Sequence, residues 1–61
     1  MQYSIKSFTL DSKKENAIVE FFNGVRKAVH VTYMDTDSFP LITLVSRSES
    51  KEDYYLFHQE K

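Results

Sequence analysis

No cysteine occurs in this chain, and in a chain of 61 residues that absence decides how the fold must be held together. A domain of this size buries only about 60% of the surface that its unfolded form exposes. Small domains therefore commonly lean on disulfides, metals or partners. Disulfides and thiolate metal sites are excluded here. Packing alone, or packing together with self-association, must supply the stability, and the chain is one domain, residues 1–61.

The remaining composition is that of a folded protein. It is 41% hydrophobic and 15% aromatic with a single Gly and a single Pro, which argues against disorder. Eight basic and nine acidic residues leave a net charge of −1. A domain built to grip phosphates normally carries a clear basic excess, and a nucleic-acid mimic a clear acidic one. Neither is present. Apolar runs are only a few residues long, so no segment spans a membrane. No charged start followed by an apolar core marks a signal peptide, and with the missing cysteine this favours the cytoplasm.

The expected fold is α+β, in the order β-α-β-β-β. Residues 2–10, QYSIKSFTL, read as a strand with a bulge near Lys6–Ser7, because Tyr3 and Ile5 share one face while Phe8 and Leu10 share the other. A helix is expected from Lys13 to Asn23. Ser12 and Glu15 fit a capping box, Gly24 fits the left-handed residue that ends a helix, and Ile18, Phe21, Phe22 and Val25 recur at helical spacing. RKAVHVTYM alternates as a strand. LITLVS is apolar on both faces and reads as a central strand. SRSESKED reads as a solvated loop, and YYLFHQ as the last strand. The last three strands should form an antiparallel meander with the helix on one face; the first joins parallel to the second strand or lies at the other edge. One short helix covers only one face. Apolar residues would remain on the other, and such a patch usually marks an interface.

The candidates for chemistry begin at YMDTDSFP, residues 33–40. The stretch resembles the Tyr-x-Asp-Thr-Asp-Ser motif of family B DNA polymerases. By that resemblance Asp35 and Asp37 would be metal ligands and Tyr33 part of the supporting strand. A two-metal site also needs a further carboxylate strand and a surface for template and nucleotide, for which this chain has no room. The stretch is read as a hairpin turn, with Asp and Ser bonding nearby backbone and Pro40 presetting the return. An EF-hand is excluded, since Phe39, Pro40 and Ser46 stand where an oxygen ligand, Gly and Glu are wanted. His30 and His58 show no zinc spacing. Nucleophile motifs and Gly-rich phosphate loops are missing. Neither a cofactor nor a metal is expected.

The function expected is that of a small non-enzymatic protein-binding module, a regulator or inhibitor, homodimeric. Its length and lack of motifs suit a phage-encoded or accessory bacterial protein. Aromatic anchors dominate binding energy, so Tyr33, Phe39, Tyr54 and Tyr55 are the expected contacts, with Asp35 and Asp37 tuning specificity. The rival reading is a nucleic-acid binder, in which sheet aromatics stack bases and Lys13, Lys14, Arg26, Lys27, Arg47 and Lys51 line phosphates. Lys13 and Lys14, at the expected helix start, and Arg26 and Lys27, past its end, are the candidate anion contacts. An enzyme with a site at a dimer interface is a distant third.

Overall fold

The computed structural model describes residues 1–59. Among these residues it holds seven strands in two sheets and no helix, which corrects the expected α+β class. The strands are β1 (Gln2–Ile5), β2 (Ser7–Leu10), β3 (Asn16–Glu20), β4 (Arg26–His30), β5 (Tyr33–Asp35), β6 (Leu41–Ser48) and β7 (Lys51–His58). The larger sheet has the order β1-β7-β6-β5, and the smaller one β2-β3-β4. With no helix among the described residues, none is long and apolar enough to cross a membrane.

The segment expected to be helical is two turns around a strand. Alternation along β3 is strict: Ala17 and Val19 are buried, and Ile18 is 46% exposed. Of the expected stripe, Ile18, Phe22 and Val25 are exposed. The start signal belongs to a hairpin loop. Asp11 N–H donates to Asn16 O, while the Asp11 carboxylate accepts from Glu15 N–H at 3.0 Å and from the Asn16 side-chain amide at 3.2 Å. Its position so close to these donors lowers the Asp11 pKa, with the Asn16 side-chain bond as the leading cause. The stop signal belongs to a second hairpin. Phe21 N–H donates to Val25 O, Gly24 N–H to Phe21 O, and Gly24 has φ 88°. A turn followed by a left-handed residue is the usual three-residue hairpin loop, so Gly24 serves a bulge rather than a helix end.

Two bends join the sheets. At Lys6, between β1 and β2, the backbone N–H turns to Glu20 O of the smaller sheet. The irregularity expected near Lys6–Ser7 is this corner. The second bend splits the single strand expected over residues 26–34. Val31 N–H bonds to Glu15 O, just before β3 of the smaller sheet, and the next residue, Thr32, to Val45 O in the larger. One chain thus leaves one ladder and enters the other within a residue.

The antiparallel meander is present as β5, β6 and β7, with β6 internal. β1 lies at an edge, parallel to β7 and not to β5. The solvated loop expected over residues 46–53 is mostly paired: the register runs to Ser48–Lys51, leaving Glu49 and Ser50 as the turn, with Glu49 at φ 49°.

The second sheet takes the covering role assigned to a helix. Between the sheets lie Ile5, Ala17, Val19, Val29, Val31, Leu44 and Tyr55, with Tyr3, Phe8, Leu10, Phe21 and Phe57 packed against them. Tyr3 stacks on Tyr55 with ring centroids 5.4 Å apart, and Phe8 meets Phe57 edge to face at 5.3 Å. Such aromatic pairs add to what burial alone supplies. Burial also pushes the Tyr55 hydroxyl pKa up, with the Lys27 ammonium pulling the other way.

Candidate interaction face

Successive strand residues point to opposite sides, so half of the larger sheet faces away from the core. The pairing register arranges that half into rows across the strands. The middle row is Gln2, Tyr54, Val45 and Tyr33. On one side follow Ser4, Leu56, Thr43 and Asp35, then His58 and Leu41. On the other side stand Glu52 and Arg47. No further sheet or helix of the described residues lies over these rows, and the middle row with Asp35, Thr43, Leu56 and Leu41 lines a shallow groove of about 450 Å³.

Val45 is only 1% exposed although it points outward. Tyr54 and Tyr33 stand directly across from it on the neighbouring strands, the positions from which large side chains shield a central residue. Tyr33 itself is 49% exposed. The face therefore has an aliphatic floor with aromatic walls.

Its charges are ordered. The Arg47 guanidinium donates to Glu52 Oε2 from Nε at 3.2 Å and Nη2 at 2.7 Å, bridging β6 and β7. This pairing holds the Arg47 pKa up and the Glu52 pKa down, the hydrogen bond being the largest cause in both. The Glu52 charge in turn raises the Tyr54 pKa, and the protonated hydroxyl is both donor and acceptor.

YMDTDSFP forms the end of β5 and the return to β6. Asp35 Oδ1 accepts from Asp37 N–H at 3.0 Å, the local bond that makes Asp a turn former, and Leu41 N–H bonds Ser38 O. Among the described residues no three His, Asp or Glu side chains stand together as a metal site would require. His30 and His58 lie on different sheets.

The expected contact residues divide. Tyr33, Asp35 and Tyr54 are on the outward face, while Asp37 and Phe39, the latter 59% exposed, lie in the loop at its end. Tyr55 is a correction: at 1% exposure, stacked on Tyr3, it belongs to the core and cannot touch a partner. Val45 and Leu56 join Tyr33, Asp35 and Tyr54 on this face, and Arg47, expected as a phosphate contact, stands there paired with Glu52. Their register with Tyr54 is set by the two-residue turn of the Ser48–Lys51 hairpin, which is tighter than the loop expected over 46–53.

The basic residues do not gather. Lys13 and Lys14 occupy the loop before β3, with Lys14 at φ 59°, so no helix start underlies an anion pocket there. Arg26 and Lys27 pair with Glu20 and Val19 near the far end of β3. Between the two groups runs β3, roughly 13 Å from Asn16 to Glu20 at 3.3 Å per residue. Arg26 lies 3.9 Å from Glu20 and Arg47 2.7 Å from Glu52, so acids interleave with these bases.

No family model, curated protein or solved structure matches this chain.

Proposed function

We propose that this protein is a non-enzymatic protein-binding module, a regulator or inhibitor that meets its partner on the outward face of the larger sheet. The observation that carries this reading is the row Tyr54–Val45–Tyr33, flanked by Leu56 and Leu41, on a sheet face that nothing in the described fold covers. Tyr and Arg are the residue types that anchor interfaces, and both stand on this face with fixed geometry. The paired Arg47 and Glu52 form a polar rim at one end. Support for base stacking is weaker, because the aromatic face itself carries Asp35 and Glu52 while Lys13 and Lys14 lie on the smaller sheet's loop.

The test is capture from a lysate of cells that express the protein, with two single variants in parallel. Tyr33→Glu charges the face. Ile18→Glu charges an equally exposed apolar position on the outward side of the smaller sheet. Loss of the captured protein with Tyr33→Glu alone is the expected result. Loss with Ile18→Glu alone would move the binding surface to the other sheet and defeat this reading.

A further inference from the structure

From the same face, and resting on the reading above, we infer that its occupant is a second copy of this chain, packed sheet to sheet about a two-fold axis. The axis runs across the strands along the Tyr54–Val45–Tyr33 row.

The register singles out this arrangement. Face-to-face sheets related by a two-fold axis in the interface plane exchange rows that are equidistant from the axis. Arg47 lies two residues from Val45 in one direction, and Thr43 two residues in the other. Asp35 is the cross-strand neighbour of Thr43. An axis along the middle row therefore sets Arg47 of each copy over Thr43 of the other, with Asp35 one strand spacing away, about 4.8 Å. An arginine side chain spans that distance. The contact forms twice, as an isologous interface requires, and brings the Arg47 guanidinium, which keeps N–H groups beyond those bonded to Glu52 of its own copy, beside an exposed carboxylate of the other. Tyr33 and Tyr54 meet their own counterparts at the centre over the buried Val45, where apolar self-contact carries no charge penalty. Strand directions of the two sheets stay near alignment, the usual geometry for stacked sheets.

The extent of the face sets the strength. Four strands at about 4.8 Å and seven residues at about 3.3 Å cover roughly 20 Å by 20 Å, near 400 Å² per copy. This falls below the ~800 Å² per partner of a standard stable complex. The dimer is accordingly of the weak, transient kind.

Sedimentation equilibrium from about 10 μM to 1 mM at low salt tests this. The wild type is expected to move from monomer to dimer across that range. Arg47→Asp and Asp35→Arg should each weaken association about tenfold, because each sets like charges together, and the double variant should recover most of the loss. Ile18→Glu, on the outward side of the smaller sheet and outside this interface, should leave association intact. Tyr33→Glu, at an exposed position, should abolish the dimer without unfolding the chain; circular dichroism verifies the fold of every variant. A wild type that stays monomeric at 1 mM overturns the inference. So does a double variant that is folded yet no better than the singles. The capture experiment separates this failure from failure of the wider reading: a monomer that still loses a captured protein with Tyr33→Glu keeps the face and replaces its occupant.

Discussion

Residues 18 and 19 provide a sharp test of the architecture, because helix and strand assign them opposite roles. In the strand, Val19 is 0% exposed, between Phe8 and Lys27 in the register, while Ile18 is 46% exposed on the outward side. In a helix with the apolar stripe 18, 21, 22 and 25, Ile18 would be central and Val19 a flank. Val19→Ala removes two buried carbon atoms, about 1.6 kcal/mol of transfer free energy, and leaves a cavity that raises the cost to about 2–3 kcal/mol. Ile18→Thr keeps β-branching at a half-exposed site and should cost less than about 1 kcal/mol. A domain of 61 residues has a total stability of only about 3–9 kcal/mol. At about 8 °C per kcal/mol for so short a chain, Val19→Ala should lower Tm by roughly 16–24 °C and Ile18→Thr by less than about 8 °C. The assay is thermal unfolding followed by circular dichroism. One protein concentration is used throughout, since self-association would make Tm concentration-dependent. A larger loss for Ile18→Thr than for Val19→Ala would refute the inward and outward assignment of β3, and with it the two-sheet core.

Three further expectations follow from the same geometry. Gly24→Ala should cost about 1 kcal/mol through its left-handed backbone alone, since an added Cβ at Gly24 meets nothing within 4 Å; Gly24→Asn should cost less in the same melts, and equal costs would contradict the backbone origin. Asp11 and Glu52 both have folded pKa values below their ordinary ones, so each contributes stability above the unfolded pKa that is lost as pH falls through the folded value. Urea midpoints should therefore decline on acidification below about pH 5, and Asp11→Asn should flatten that decline. On heparin at low salt the protein should flow through, because its bases are dispersed and partly paired; firm retention would favour nucleic acid as the ligand.

Particular residues show how far the sequence could be read. The turn at Asp35–Pro40 was legible because Asp and Pro act on backbone within a few residues of themselves. The internal position of β6 was legible because Leu41, Ile42, Leu44 and Val45 are apolar at both parities. The helix was misread because its cues are shared. An acceptor, a nearby Glu and a later Gly serve a capping box and helix end, and they serve equally in two hairpins. The Asn23–Gly24 pair, with β-branched Ile18 and Val19 before it, was the hairpin signal that the helical spacing outweighed. Tyr55 was misplaced for a different reason: Tyr54 and Tyr55 are adjacent and chemically equal, and alternation says that they differ without saying which is outside.

From the sequence alone follow the need to fold without covalent staples, the strand-rich second half, the break near Lys6 and an apolar surplus that some surface must meet. These rest on local chemistry and composition. The tertiary structure decided that residues 16–20 are a strand, that a second sheet covers one face of the first, and that Tyr54 stands outside with Val45 and Tyr33. Those outcomes depend on pairing between segments far apart in the chain: Gln2 with Tyr54, Val31 with Glu15, Thr32 with Val45. A five-residue segment such as 16–20 has too few residues for its own periodicity to choose between helix and strand, and the choice falls to the backbone and core that it meets on both sides.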